Sequence, residues 1–598
     1  MNFIQTTLQV VEVGKGQILV RLIPLLAALL VIAGAYDKLI YHGLNDAQSM
    51  DNAQLARQIL RHQGFTTEFL RPYAVAQLRD YAIAENLQTG RSRDLFPPDQ
   101  FPAGALRILP DTYNPPGYPF LLAVWFHFTH PEFDETPAAI SASHIYSPDR
   151  WIPLLNQFFL LLTAVLVFAM GHRLFDDRVA WLSLVAFLGT DMIWHYSLTA
   201  LSTSFLMFLV TATLICALEI FCVGEACFED EARSFMPAWI WSLVVALLLA
   251  AACLTRLHLL VLLVPLFVLL LMMPRASFLL LAFIAIVVLG LVTPWFWHLY
   301  SVCGNPLGSD LTLVLSGQPG YTGNQIYCAG SIPSYEQLFT GASSKEISGF
   351  RWHLEHGWSL LGSNPIILLF VASILHQFKR RRTRAFQWLL FGSALVLIAA
   401  NNLGSASPET VGPWNIVALL FPCMLVIGSA FFFILLDRLN LVIRLLNSLI
   451  VITILALALT PLVVSLITPS NIFYCFPPYI PPSIKSYGQF AAPDEWVTTD
   501  MPWATAWYAD RASLWLPDSI ADFQDFHDNL CRTGVLFLTP VSWSMPYSEL
   551  KTGEYKDWFA FTVGLTPPPN FPLSVHTMTG PGGPEYYLWS DQPRWQLK

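Results

Sequence analysis

Residues 45–72 read NDAQSMDNAQLARQILRHQGFTTEFLRP, and how this stretch folds decides the rest. It directly follows the first apolar segment, so it is expected just outside a membrane surface. Met50, Ala53, Ala56 and Leu60 recur at helical spacing and make one apolar face. Asp51, Gln54, Gln58 and Arg61 make a polar stripe. Asn45 or Asp46 can cap the start, and Gly64 ends the pattern. The pattern predicts an amphipathic helix lying on the bilayer with its polar face solvated. Asp51 falls in its first turn, where the helix dipole favours an anion. Asp46 is the better cap and the rival of Asp51 for any chemistry.

The chain has 598 residues, 55% of them hydrophobic and 12% charged. Soluble domains carry about 25% charged residues, so the composition is that of a polytopic membrane protein. The net charge of −9 argues against nucleic acid as a partner. The first apolar run begins near Gln17 with no convincing cleavage site after Ala35, so it is expected to be a retained span. The chain contains no Asn-X-Ser/Thr sequon, which favours a bacterial source.

Spans are expected at 17–36, 151–171, 179–196, 198–222, 239–254, 257–273, 276–298, 358–376, 386–400, 414–436 and 441–467. The run 117–128 is short for a span and reads as an interfacial or re-entrant helix. Lys379–Arg384, the strongest basic cluster, is placed on the cytoplasmic side. That sets the N-terminus inside and the outer loops at 37–112 and 301–355. Residues 1–467 then form the membrane domain and 468–492 a proline-rich linker. Residues 493–598 form a small extracytoplasmic α/β domain with alternating strands and helices.

MDNAQLARQIL followed by GFTTEFLRP resembles the first extracytoplasmic loop of the GT-C superfamily of polyprenyl-phosphate-sugar glycosyltransferases, which includes protein O-mannosyltransferases and aminoarabinose transferases. The resemblance covers roughly residues 40–310. It implies a GT-C-like α-helical membrane fold of about 11 to 13 transmembrane helices. It also implies that Asp51 is the catalytic base. By the same resemblance Arg256, in LTRLHLL at a hairpin turn, holds the donor's phosphate. An Arg within an apolar hairpin is costly unless it meets water, a partner or a headgroup, which agrees with that role. The alternative for Arg256 is an interfacial anchor.

His258 could add a donor beside Arg256, and Arg71 is a further candidate for the donor phosphate. VTPWFWHLYSVCGNPLGS, residues 292–309, resembles a PW…GNPLG block of the family, with His298 near where an Arg is common. Asp191, beside His195, and Asp111, just before YNPPGYP, are candidates for the family's second acidic residue. TALSTSF lacks the Asp usual within that following helix.

No Walker loop, dinucleotide fingerprint, HExxH or nucleophile elbow occurs, so no cofactor is implied and no metal ligand set is assigned. A divalent cation held by outer carboxylates stays open. The expected activity is hexosyl or pentosyl transfer from a polyprenyl-phosphate sugar to a hydroxyl of a lipid, glycan or protein acceptor at the outer face of a bacterial inner membrane. The alternatives are a non-catalytic GT-C-like envelope scaffold and a polytopic transporter. The absence of a visible repeat disfavours the transporter.

Of nine cysteines, Cys303, Cys328, Cys475 and Cys531 fall outside in this topology, where disulfides persist. Cys303–Cys328 and Cys475–Cys531 are the expected bridges. The first would close a loop of about 25 residues, worth about 3 kcal/mol in the chain-entropy picture.

Overall fold

The structure is a computed structural model describing residues 15–89, 109–225, 237–271, 277–309, 314–316, 325–330, 342–404, 415–440, 443–468, 479–544, 546–553, 555–562, 567–578 and 586–595. Among these residues, seven helices are long and apolar enough to cross a membrane. They cover Ser147–Leu174, Thr203–Ile220, Ala238–Thr255, Phe278–Cys303, Arg381–Gly404, Ile416–Arg438 and Arg444–Ile467.

Two of the expected spans are interrupted by non-helical residues. The run 179–196 divides into Asp177–Leu188 and Asp191–Ser197, broken at Gly189 and Thr190. The run 358–376 contains the end of one helix, Ala342–Leu360, and the short helix Pro365–Ala372. Gly362, at a φ of 71°, ends the first of these, and the Asn364 side chain caps the second. Composition alone reads through both breaks because their flanks are apolar. Ala342–Leu360 also puts a helix where the second outer loop was expected. Gly117–Thr129 is a helix of 13 residues, below spanning length, as its short apolar run predicts.

The helix carrying Asp51 spans Ala47–Leu60, capped by Asp46, whose carboxylate accepts from Ser49 N–H at 2.9 Å. It does not lie on a bilayer with one solvated face. Met50, Ala53 and Ala56 pack with Tyr118, Leu122 and Phe126 of the Gly117–Thr129 helix in one apolar cluster. The opposite stripe is covered too, and Asp51, Gln54 and Gln58 are completely buried. Asp51 sits beyond the first turn, so its charge is met by side chains rather than by the helix end.

The cover comes from the chain's other end. Strands β1 (Thr66–Thr67) and β3 (Leu109–Pro110) form a small antiparallel pair. Strands β2 (Phe69–Leu70), β4 (Trp496–Thr499), β5 (Ser513–Trp515), β6 (Thr533–Leu538), β7 (Val575–Met578) and β8 (Tyr587–Ser590) form a second sheet in the order β2-β5-β4-β6-β8-β7. From β2 through β6 the strands run parallel, and β8 and β7 are antiparallel. Strands and helices alternate between residues 496 and 538, as Trp496–Thr499, Pro502–Ala504 with Thr505–Ala509, Ser513–Trp515, Ile520–Asn529 and Thr533–Leu538. The sheet nonetheless reaches beyond 493–598, because its edge strand β2 comes from the first loop. Ser513 N–H donates to Glu68 O at 2.7 Å across that junction.

The expected Cys303–Cys328 bridge is absent. Cys303 is a thiol whose Sγ donates to Leu299 O at 3.2 Å, packed beside Leu70, Val75 and Leu78. Cys328 lies in a different apolar cluster, with Leu315, Ile326 and Trp515. Sharing one loop therefore does not bring the two sulfurs together. The Cys475–Cys531 pairing falls on Cys475, which lies outside the described residues.

Candidate functional site

Three segments converge on Asp51. Its Oδ2 accepts from Arg71 Nη2 at 2.6 Å and from Asn114 Nδ2 at 2.9 Å. Its Oδ1 accepts from Gln54 Nε2 at 3.0 Å. A buried carboxylate is tolerated only when paired and hydrogen-bonded, and these three donors meet that requirement. Gln54 is itself oriented: its Oε1 accepts from Glu68 N–H at 3.1 Å and its Nε2 also donates to Thr67 Oγ1 at 2.8 Å.

Arg71 follows β2 directly. Its guanidinium lies 4.0 Å from the ring centre of Phe69 and 4.0 Å from that of Tyr113, a stack that fixes the plane of the fork. Its Nη1 comes within 4.0 Å of Asp111 Oδ1, so one cation serves two buried carboxylates. Asp111 closes a tight turn ahead of Pro115 and Pro116. Its Oδ2 accepts from Asn114 N–H and from Asn114 Nδ2, each at 2.9 Å. Asn114 Nδ2 thus bridges Asp51 and Asp111. Asn114 Oδ1 accepts from Gln48 Nε2 at 2.5 Å, which assigns its amide orientation.

Burial, and then the nearby Asp51 charge, push the Asp111 carboxyl above the ordinary carboxylate range, while Arg71 and Asn114 pull it back. An acid with a raised folded-state pKa binds more protons folded than unfolded. Its stabilising contribution is full below the unfolded value of about 3.9 and is lost as pH rises through the folded value. Asp500, fully buried and pushed up to about 6, acts with the same sign. The thermal midpoint is therefore expected to fall between about pH 4 and pH 7 through these groups, and Asp111→Asn to flatten part of that fall. A midpoint in Asp111→Asn that tracks the parent at every pH refutes the assignment.

The other predicted residues are distributed around this centre. Asp46 is the helix cap and points to Ser49. Arg256 follows the helix Ala238–Thr255, whose last turn packs on Gly117 so tightly that a Cβ there would meet Thr255 Oγ1 at 2.4 Å. The Arg256 charge itself acts on Tyr196 and His258. His258 packs against Gly404, where a Cβ would meet its Nε2 at 2.0 Å. His298 lies tilted against Trp295 with ring centres 5.2 Å apart, Trp295 meets Phe65 edge-on, and Phe65 O accepts from Asp111 N–H at 3.2 Å. Asp191 is elsewhere: it bonds the Tyr36 hydroxyl and pairs with His195 Nε2 at 3.3 Å.

Gln54 and Asn114 were not singled out by the sequence. Gln54 could have been, since it sits one turn from Asp51. Asn114 stands three residues after Asp111 and just before two prolines, a turn-forming pattern. Among the described residues, no group of three or more His, Cys, Asp or Glu side chains gathers as a metal site. Between Asp51 and Asp111 stands the Arg71 guanidinium, and the remaining bonds come from amides. These residues do not fit a bound ion in this arrangement.

No protein-family model matches the chain, and no curated protein matches it in sequence. Solved structures do match in fold. ArnT from Cupriavidus metallidurans, bound to undecaprenyl phosphate, superposes with a TM-score of 0.51 at 11% identity, over 96% of this chain and 98% of that one. The archaeal oligosaccharyltransferase AglB from Archaeoglobus fulgidus, in complex with an inhibitory peptide and a dolichol-phosphate, gives 0.52 at 10% identity, over 96% and 74%. Both are GT-C glycosyltransferases. At such identity the likeness is one of fold alone: this chain shares the fold of those two proteins.

Proposed function

We propose that this GT-C fold transfers a sugar from a polyprenyl-phosphate donor to an acceptor hydroxyl at the outer face of the membrane. The observation that carries the reading is the buried, threefold hydrogen-bonded carboxylate of Asp51. It sits on the short helix after the first apolar helix, in a fold shared with a protein crystallised with undecaprenyl phosphate.

In this reading Asp51 takes the proton of the acceptor hydroxyl as its oxygen attacks the anomeric carbon. The bond from that carbon to the phosphate oxygen breaks, and polyprenyl phosphate leaves with the electron pair. Arg256, which follows the helix packed on Gly117, meets the developing phosphate charge. Arg71, bonded to Asp51 Oδ2, keeps that carboxylate aimed until substrate arrives. The structure holds Asp51 out of solvent, so substrate binding has to part the segments around it. Asp111 shares Arg71 and is the second acidic residue of the centre, a role for which Asp191 is displaced.

The direct test is to incubate the full-length protein with undecaprenyl-phosphate hexoses and pentoses and follow release of undecaprenyl phosphate. No release from any donor, with the fold intact, would favour the non-catalytic scaffold. Arg256→Ala is expected to weaken binding of undecaprenyl phosphate about tenfold or more, and Arg256→Lys to recover only part, since Lys keeps the charge but loses the planar fork. Parent-like binding by both variants would reduce Arg256 to an anchor. For orientation, reporters fused after Gln377 and after Lys598 should report opposite compartments, with residues 379–384 cytoplasmic. The same compartment for both would overturn that topology.

A further inference from the structure

We infer that residues 66–71 form a strap through which the C-terminal sheet sets the position of the Asp51 carboxylate, with Gln54 and Glu68 as positioning residues. The inference rests on the role proposed for Asp51.

The connections run without a gap. Ser513 N–H of β5 donates to Glu68 O at 2.7 Å, and β2 pairs with β5 through Phe69 and Leu70. One residue on, Arg71 reaches Asp51 Oδ2 at 2.6 Å. Going the other way, Glu68 N–H donates to Gln54 Oε1 at 3.1 Å, and Gln54 Nε2 donates to Asp51 Oδ1 at 3.0 Å. Both oxygens of Asp51 are therefore oriented from the strap, and the strap is an edge strand of the distant sheet.

A second clamp holds the same helix. Arg57, completely buried, donates Nη1 to Trp507 O at 2.8 Å and Nη2 to Ala506 O at 2.7 Å, and pairs with Glu68 at 2.9 Å. One turn later Arg61 forms two bonds to Asp510, at 2.7 and 3.1 Å. The carbonyls that receive Arg57 belong to a π-helical turn, Thr505–Ala509, ending at Asp510 in the left-handed region. Such turns free carbonyls from regular helical pairing. A two-residue strand has little stability of its own, so β2 holds its place only while the sheet does.

The experiment uses the full chain and three variants. Ser513→Pro removes the N–H that holds Glu68 O. Glu68→Gln keeps the shape but drops the charge facing Arg57, and serves should Ser513→Pro misfold. Gln54→Leu removes the amide link. Backbone hydrogen exchange is read over residues 47–60 and 66–71, and turnover and donor KM are read with the donor identified above.

Ser513→Pro or Glu68→Gln is expected to speed exchange in both segments while the Ala238–Thr255 helix keeps the parent rate. Each of the three variants should lower kcat about tenfold with donor KM nearly unchanged. Pairing Gln54→Leu with Ser513→Pro should cost less than the product of the single losses, because both act on one path. Unchanged exchange over residues 47–60 in both sheet-side variants, or multiplicative losses in the double variant, overturns the strap. A parent chain without turnover would defeat the proposed function, while the exchange result would still decide whether the sheet holds the helix.

Discussion

Asp51→Asn is expected to lower turnover about a hundredfold or more while leaving undecaprenyl phosphate binding within a few-fold of the parent. Asparagine has nearly the volume of aspartate but no basic carboxylate, so it cannot take the acceptor's proton. The surroundings sharpen the test. Arg71, Asn114 and Gln54 all present donors to Asp51. An asparagine offers one oxygen and one NH2 group, so at least one of those donors would face another donor. Some stability is therefore lost as well, and the thermal midpoint has to be recorded beside the rate. Asp46→Asn is the matched control. Asp46 only caps the helix through Ser49, and asparagine caps nearly as well, so turnover should hardly move. Turnover retained in Asp51→Asn, or a larger loss in Asp46→Asn, would reassign the base.

How much of this centre could be read from the sequence depends on the range over which each contact acts. The helix and its cap are local, and spacing made Asp46 the better cap, while the role of Asp51 came from the family resemblance. Asp111 was visible because it stands just before YNPPGYP, the segment that resembles the family's Pro-Pro stretch. The surroundings of Gln54 and Gln58 were not visible. A polar stripe opposite an apolar one reads as a solvated face, and here it is buried because a segment more than four hundred residues away covers it. Strand β2 is two residues long, too short for any alternation to register, and its partner Ser513 is equally remote. The paired helices Asp177–Leu188 and Asp191–Ser197 were merged for the opposite reason: hydropathy was continuous while the backbone was not. The cysteine argument named a compartment, and a compartment does not bring two thiols within bonding distance.

Arg71→Ala should be the most destabilising single change at the centre, because the arginine is the cation shared by two buried carboxylates. Breaking a buried pair by removing one partner costs about 3–5 kcal/mol, since the other charge stays buried without compensation. Here two acids are left, and Asp111 already lies above the ordinary range. The cheapest response is proton uptake, so the loss should be smaller at acidic pH and larger at neutral pH. That sign follows from the acid left behind: without the guanidinium, its folded-state pKa rises further above the unfolded value. Arg71→Lys should recover part of the loss, because an ammonium restores charge but not the stack between Phe69 and Tyr113 at 4.0 Å on each side. Adding Asp111→Asn to Arg71→Ala removes one of the two stranded charges and should raise the thermal midpoint above that of Arg71→Ala alone. A double variant no more stable than Arg71→Ala, at neutral pH, would show that Asp111 does not draw on Arg71. An Arg71→Ala chain with the parent's midpoint at every pH would show that Asp51 does not depend on it either, and Asn114 and Gln54 would then be sufficient to hold the carboxylate.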